Sequence, residues 1–380
     1  MANANVVEER TEIAPEPAPM TPAAAIAGRV AALRTKLEAE KVDGMLIMRP
    51  ENRAYISGFT GSSAFILVGA AEPVLITDFR YTEQAAGQCP GYKIVRHGHP
   101  PVNTIREQIL AAGYKRLAFE KDYLTFSWHE TLREKMPEVE LVPTEGLVEG
   151  LRSVKDASEI ALIRHAAEIA DAAFLKVLAT AKVGMREADF AVELEYQMRK
   201  AGAEKNAFNI IAASGPRSSL PHGAASDRVI QDGDFLTVDW GAMYQGYCSD
   251  CTRTVVFGRA DARQREIYGI VLEAQLATVD AVRAGLKGME VDAVARNIIA
   301  GRGYGDNFGH GLGHGVGRAV HELPSMGSRS ENVLVPGNVV TVEPGIYIPE
   351  WGGVRIEDLV VVTESGREIL TSISKELMEL

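Results

Sequence analysis

From about Ile26 the chain alternates short apolar runs with amphipathic stretches. Residues 26–40 carry apolar positions at helical spacing and predict an amphipathic helix; residues 44–48 (GMLIM) predict a buried strand. Pro50 opens a short helical segment that ends near Gly58. Residues 64–68 (AFILV) and 73–78 (PVLITD) predict two strands joined by a small-residue turn. Helix (TEQAAGQ), strand (YKIVRH), helix (TIREQILAAG), strand (RLAFE), helix (FSWHETLREK) and strand (VELVP) follow. This alternation predicts an α/β domain over residues 25–148, with antiparallel pairing where the connections are short.

The rhythm changes over residues 149–380. Asp156 followed three residues later by Glu159 is an N-cap signal, and apolar positions then run at helical spacing to about Ala181. A second helix over 187–201 stops at Gly202. Strand-like FNIIAASG and FLTVDWGAMYQGYCSDCTRTVVFG come next. The order then recurs: a helix over 262–284 stopping at Gly285, another over 291–300 stopping at Gly301, and strand-rich sequence to about Leu370. Two helices then strands, twice, predict two similar halves about one central sheet. That expectation rests on element order, because no sequence repeat is evident. The whole reads as an α+β chain.

Composition narrows the class. Residues 1–24 are rich in Ala, Pro and Glu and lack a basic segment leading into an apolar one, which predicts a disordered or loosely docked arm rather than a secretory signal. Lys plus Arg number 40 against 51 Asp plus Glu, a net charge of −11, which argues against nucleic acid or an anionic membrane as partner. No apolar run is long enough to span a bilayer. Three cysteines, Cys89, Cys248 and Cys251, imply no disulfide framework. A cytoplasmic enzyme fits these bounds.

The candidate chemistry lies in the second half. In GHGLGHGVGRAVH (309–321) glycines alternate through a run holding His310, His314 and His321, punctuated by Leu312, Val316 and Val320. So many glycines weaken helix and ordinary strand alike, and predict an extended, tightly packed segment presenting imidazoles rather than a loose surface loop. The spacing is not that of a dinucleotide-binding motif. Four carboxylates sit among apolar residues: Asp239 ending LTVD, Asp250 in YCSDCTRT, Glu343 in VVTVEPGIY and Glu357 in GGVRIEDLVVV. A hairpin near 244–246 would bring Asp239 and Asp250 side by side. Along the last strand, Arg355, Glu357 and Leu359 share one face, and Ile356 and Asp358 the other. Each acid alone is explained by a salt bridge or a strand end facing water. All four with one imidazole make a shared cation site the simpler account, since unpaired buried carboxylates are costly. The set is oxygen-rich and suits Mn²⁺ or Co²⁺ better than a thiolate zinc site, and its charge suits two ions. Cys248 and Cys251 bracket Asp250, but residues three apart on a strand face opposite ways and should not meet. His97, His99 and His129 read as surface residues.

These residues resemble the pita-bread metallopeptidases: methionine aminopeptidase, aminopeptidase P, prolidase and their metal-free relative creatinase. The motifs are LPHG (220–223), VDWG with YCSDCTRT, GHGLGHGVGRAVHE, TVEPGIY and GGVRIED, over roughly 150–370. PENRAYISGFTGS and LITDFRYTEQA resemble the domain preceding the catalytic one in aminopeptidase P, prolidase and creatinase. Methionine aminopeptidases lack it, which turns the resemblance toward Xaa-Pro peptidases. The resemblance implies Asp239 on one metal, His314 and Glu343 on the other, and Asp250 and Glu357 between them. It implies His222 and His321 on the substrate carbonyl or developing oxyanion, His310 in the pocket, and Arg355 supporting substrate and the Glu357 strand. It implies two divalent ions per subunit, Mn²⁺ first and Co²⁺ or Zn²⁺ as alternatives, and a homodimer.

The implied activity is hydrolysis of Xaa-Pro bonds in dipeptides or at the N-terminus of short peptides, through a hydroxide between the metals. Glu343 would relay a proton to the leaving proline nitrogen. The chemistry suits proline, because an Xaa-Pro bond is a tertiary amide with no N–H to recognise. Three other readings compete. A creatinase-like metal-free hydrolase, or a non-catalytic pita-bread binding protein, predicts lost ligands, and all five are present. A phosphodiesterase predicts a phosphate cradle that the sequence lacks.

Overall fold

The structure, a computed structural model, describes residues 23–380. The arm expected over residues 1–24 therefore lies, but for its last two residues, outside the described residues. The described chain divides into two compact units between Arg152 and Ser153.

The first unit runs α1 (Ala23–Ala39), β1 (Gly44–Ile47), α2 (Pro50–Ser57), β2 (Ala64–Gly69), β3 (Val74–Thr77), α3 (Thr82–Gln88), β4 (Lys93–Arg96), α4 (Val102–Ala111), β5 (Arg116–Glu120), α5 (Phe126–Lys135), β6 (Glu140–Thr144) and α6 (Glu149–Arg152). Its six strands form one mixed sheet in the order β4-β3-β2-β1-β5-β6. The short β2–β3 link gives antiparallel pairing, while helix-bearing crossovers leave β3–β4, β1–β5 and β5–β6 parallel. Gly58 closes α2 in the left-handed region (φ 80°), where a Cβ would be strained. Apolar residues of alternating parity, such as Met45 and Ile47 against Leu46, feed two separate cores. The buried Glu120 accepts the Met48 and Arg49 amides (2.7 and 2.9 Å) and the Asn52 side chain (2.7 Å), so this acid has a structural explanation.

The second unit opens with α7 (Ala157–Leu178) and α8 (Glu187–Lys200), followed by β7 (Lys205–Asn206), β8 (Ile211–Ser214), β9 (Phe235–Trp240), β10 (Ala242–Tyr244), β11 (Tyr247–Cys248) and β12 (Cys251–Val256). It continues with α9 (Ala262–Ala281), α10 (Gly288–Gly301), β13 (Gly313–Gly315), β14 (Glu322–Met326), β15 (Val339–Val342), β16 (Gly345–Ile348), β17 (Gly352–Arg355), β18 (Asp358–Thr363) and β19 (Gly366–Ile369). The α7 start is the capping box read from the sequence: Asp156 accepts from the Ser158 and Glu159 amides, and Glu159 accepts from the Asp156 amide. Helix α10 begins three residues earlier than the periodicity predicts and runs through Gly301. Gly303, at φ 87°, turns the chain instead.

Two strand assignments are corrected. Among the described residues the strands of this unit form a three-stranded β12-β9-β8 sheet, a five-stranded β14-β13-β15-β18-β19 sheet, and smaller β11-β10-β7 and β16-β17 sheets, rather than one continuous central sheet. The strand expected through Glu357 is also two strands, β17 and β18, in different sheets, with Ile356 and Glu357 between them. The reason is the seam they cross: the Glu357 amide donates to Thr252 O (3.1 Å), and Thr254 Oγ1 donates to Arg355 O (3.1 Å) while accepting the Arg355 amide (3.1 Å). This segment leaves one sheet, lies along β12, and enters the next. A second strand break, at residues 249–250, puts Cys248 and Cys251 on different strands, β11 and β12; both thiols are buried and neither is in a disulfide.

Trp240 fixes β9. Its ring stacks on Phe174 of α7 (centroids 4.0 Å apart, planes 15°) and its Nε1 donates to Ala170 O (3.0 Å). Because successive strand side chains face opposite ways, burying Trp240 against the helix turns Asp239 to the other side.

Candidate metal centre and active site

All the residues singled out in the sequence border one cavity of about 510 Å³: Asp239, Asp250, His314, Glu343, Glu357, His222, His310, His321 and Arg355. They come from five separate stretches of chain. In the β9–β12 ladder Asp239 stands opposite Thr252, which brings the Asp250 end of the hairpin alongside it. Glu357 arrives along the β12 seam. His314 sits at the centre of β13, between β14 and β15. A Cβ on Gly313 would lie 2.2 Å from Thr341 O, and one on Gly315 2.2 Å from Leu323 O. The glycines flanking His314 are thus what lets three backbones close around it. Only residues 313–315 of the run are strand. Leu312 and Val316 are buried as their spacing predicts, whereas Val320 faces the cavity.

Asp239, Asp250 and Glu357 each offer an oxygen within 4.8 Å of the others'. His314 Nδ1 lies 3.1 Å from Gly315 O and donates to it, which turns Nε2 toward Glu343 Oε1 (3.3 Å) and Asp250 Oδ2 (3.6 Å). The opposing cation is Arg355. Its Nη2 donates to Asp239 Oδ2 (2.8 Å), and its Nε to Thr252 Oγ1 (3.0 Å), whose hydroxyl donates on to Glu357 Oε2 (2.6 Å). Asp239 Oδ1 is buried with no hydrogen-bond partner among the described residues.

Protonation follows this imbalance. Burial, then the charges of Glu357, Asp239 and Glu343, hold the Asp250 carboxyl well above its usual range. Burial, then Glu343 and Asp239, do the same to Glu357. Burial raises Asp239 too, with Arg355 pulling against it. At Glu343 burial is outweighed by the hydrogen bond and charge of His314, so its carboxyl is lowered and the His314 imidazolium is raised. One guanidinium and one imidazole face two buried and two part-buried carboxylates, and added positive charge would favour ionising all four. A buried orphan oxygen, convergent carboxylates and an inward-facing imidazole nitrogen fit divalent cations in an oxygen-rich site.

Two residues unnoticed in the sequence complete the wall. Tyr347 Oη accepts from Arg355 Nη1 (3.0 Å) and so donates to His310 Nε2 (2.9 Å). His310 Nδ1 then donates to Gly311 O (2.8 Å), and both ring nitrogens are occupied. Burial accordingly lowers the His310 pKa. Thr252 couples Arg355 to Glu357. The two-residue period from Asp250 places Thr252 on the same face and could have flagged it; Tyr347, four residues beyond Glu343 across a strand break, carried no such signal. His222 and His321 line the cavity with no hydrogen bond to either ring among the described residues, and the His321 ring packs 4.2 Å from that of His314.

The sequence profile of metallopeptidase family M24 matches residues 161–364, and that of the creatinase/prolidase N-terminal domain matches residues 29–154. The chain belongs to metallopeptidase family M24. Its α+β architecture is the pita-bread fold of that family, preceded by a mixed-sheet domain. Among M24 relatives it is 40% identical over 345 residues to the Xaa-Pro dipeptidase of Pyrococcus furiosus, covering 90% of this chain and 97% of the relative. The solved Xaa-Pro dipeptidase from Bacillus anthracis superposes with a TM-score of 0.92 at 47% identity, over 93% of this chain and 100% of the other. The X-Pro aminopeptidase from Thermotoga maritima superposes with a TM-score of 0.85 at 39% identity, over 91% and 100%. No helix among the described residues is long and apolar enough to cross a membrane.

Proposed function

We propose that this M24 chain hydrolyses Xaa-Pro bonds, in dipeptides or at the N-terminus of short peptides, with two divalent ions held by Asp239, Asp250, His314, Glu343 and Glu357. The observation that carries the reading is the Asp239–Asp250–Glu357 cluster, whose oxygens converge within 4.8 Å on a cavity shared with His314 and Glu343. The oxygen-rich donor set favours Mn²⁺, with Co²⁺ or Zn²⁺ as alternatives. Such ions, when bound, supply Lewis acidity and a water of lowered pKa.

The chain's own groups supply the rest. Arg355 orients Asp239 directly and Glu357 through Thr252. His222 and His321 offer imidazole nitrogens to the scissile carbonyl and its developing oxyanion. Glu343, kept ionised by His314, is placed to take a proton from the attacking water and pass it to the proline nitrogen, which cannot leave as an anion. His310, both nitrogens engaged, contributes a fixed wall and leaves polar recognition to its neighbours. A homodimer and a cytoplasmic location complete the reading; three thiols outside any disulfide support the latter.

The test is hydrolysis of Ala-Pro, Leu-Pro, Ala-Pro-Ala, Leu-Pro-Pro and Ala-Ala by metal-free protein and after adding Mn²⁺, Co²⁺ or Zn²⁺. Metal-dependent cleavage of the proline peptides and not of Ala-Ala is the expected result. Protein that binds two metals and cleaves none of them overturns the assignment. Glu343→Gln retaining both metals and full activity would remove the proton relay. Sedimentation equilibrium checks the dimer.

A further inference from the structure

His222 lines the metal cavity, and its ring has no hydrogen bond among the described residues. Where the imidazole stands is therefore set by the backbone that carries it. That backbone is a loop over residues 215–225, sequence GPRSSLPHGAA, which leaves the end of β8 at Ser214 and comes back at Ser226. Apolar burial does little to hold it, since its one large aliphatic residue, Leu220, is 48% exposed. Two short turns shape the tip: the Leu220 amide donates to Arg217 O (2.9 Å) and the Gly223 amide to Leu220 O (3.0 Å). Arg355 Nη1 ties the tip at Pro221 O (3.2 Å), and Ser218 Oγ accepts the Gly353 amide (2.9 Å).

The two ends of the loop are held by one side chain from elsewhere. Glu187, the first residue of α8, is wholly buried. Its Oε1 accepts the Ser214 amide (2.7 Å) and hydroxyl (2.8 Å), and its Oε2 accepts the Ser226 amide (3.1 Å) and hydroxyl (2.6 Å). Arg217, inside the loop, donates Nε to both oxygens (3.3 and 3.1 Å) and Nη2 to Ala224 O (2.6 Å). The backbone repeats the clasp: the Glu187 amide donates to Arg228 O (3.0 Å) and the Ala188 amide to Ser226 O (2.9 Å). Unlike the acids of the metal cluster, this carboxylate has its full set of donors, and among the described residues all of them come from the loop or its two ends. One oxygen for each end closes the loop through a single side chain and removes most of the freedom that a polar, glycine-bearing segment would keep.

Resting on the Xaa-Pro peptidase reading, in which His222 meets the scissile carbonyl, we propose that Glu187 is a positioning residue for His222. It fixes the ends of loop 215–225 and so the point at which the imidazole enters the cavity. Its own oxygens are fully engaged and reach neither substrate nor metal. An imidazole held in place before the reaction stabilises the developing oxyanion without having to be ordered at that moment, so releasing the loop should cost catalytic rate more than substrate binding.

The experiment is a double-mutant cycle on metal-loaded protein with Ala-Pro as substrate: wild type, Glu187→Gln, His222→Ala and the two together, with Ser226→Ala as a milder variant in both backgrounds. Glu187→Gln should keep both metals and lower kcat about tenfold or more, with KM changed by less than about twofold, the pattern of a misplaced group that acts in the transition state. In the His222→Ala background the same substitution should cost less than about twofold, because nothing is left to position. Ser226→Ala removes one donor and leaves the carboxylate in place. It should give a smaller loss of kcat that also vanishes without His222, and it carries the test if Glu187→Gln does not fold. Hydrogen exchange should quicken over residues 214–226 in both variants and stay unchanged in β9 and β12. Equal losses with and without His222 make Glu187 a general support and overturn the proposal. Loss of metal from Glu187→Gln, unchanged exchange over 214–226, or full kcat in His222→Ala overturns it too, and each of these leaves the Xaa-Pro assignment standing. Wild type that cleaves no Xaa-Pro peptide overturns that assignment and this inference with it.

Discussion

Glu357 and Asp358 are adjacent in sequence and both buried, yet their surroundings are opposite. Asp358 has four partners: Arg253 Nη2 (2.9 Å), Gln275 Nε2 (2.7 Å), Thr371 Oγ1 (2.9 Å) and Lys375 Nζ (2.8 Å). There burial is outweighed by Arg253 and Lys375, and the carboxyl is lowered. Glu357 has the Thr252 hydroxyl and three other carboxylates, and its carboxyl is raised well above the usual range. Arg253, wholly buried, also donates to Ile373 O (2.6 Å), Ser374 O (3.0 Å) and Glu357 O, stitching the C-terminal segment to the seam. One acid is neutralised and structural. The other is left short of positive charge, as a site that takes up cations requires. Burial alone does not separate the two; the count of counter-charges does.

The sharpest way to break this contrast is Glu357→Gln. Metal content should fall and kcat/KM should drop by about 10³-fold or more, the several kcal/mol that bound cations contribute. The metal-free protein should be no less stable, since a surplus charge is gone. Metal analysis beside kinetics checks both; a variant with full metal and full activity would erase the difference between the neighbours. Asp358→Ala should do the reverse. It leaves Arg253 and Lys375 without their shared carboxylate and should cost about 3–5 kcal/mol in denaturant unfolding, with metal stoichiometry and kcat of the folded fraction kept.

Tyr347→Phe sharpens the contrast from the site side. Removing one hydroxyl unties Arg355 from His310 and should lower kcat/KM about 10–100-fold, as loss of an outer support to metal ligands does, with stability down by only about 1 kcal/mol. Unchanged kinetics would show that Arg355 is held well enough by Thr252, Asp239 and the Pro221 carbonyl, to which its Nη1 also donates (3.2 Å). The smallest effect lies behind the structural network. Among the described residues Asp171 accepts only from Ser372, through its amide (2.6 Å) and hydroxyl (2.8 Å), and burial pushes its pKa up from 3.8 to about 6. In that window the folded state holds a proton that the unfolded chain has released. The stability Asp171 contributes is therefore full below the window and lost as pH rises through about 6. Asp171→Asn should flatten that part of the pH–stability curve, measured by urea unfolding at each pH. A slope unchanged by the substitution would assign it to other groups.

What the sequence determined by itself was local. The capping box at Asp156 and Glu159, the helices, the glycine-flanked His314, and the two-residue alternation that buries Trp240 while turning Asp239 the other way all depend on neighbours a few residues apart. Every residue named for the site lines the cavity, because the donor types and their apolar settings are written in single motifs. Tertiary structure decided the rest. Arg253 and Asp358 are separated by 105 residues, Glu357 and Thr252 likewise, and Arg355 and Asp239 by 116. No local period carries information over such distances. Which acid meets a guanidinium and which meets other acids was therefore open until the β12 seam brought residues 355–358 alongside 252–254. The same seam divided the expected last strand in two and replaced one central sheet with several. It also gave Tyr347 its place, since a hydroxyl between Arg355 and His310 exists only where the strand ends converge.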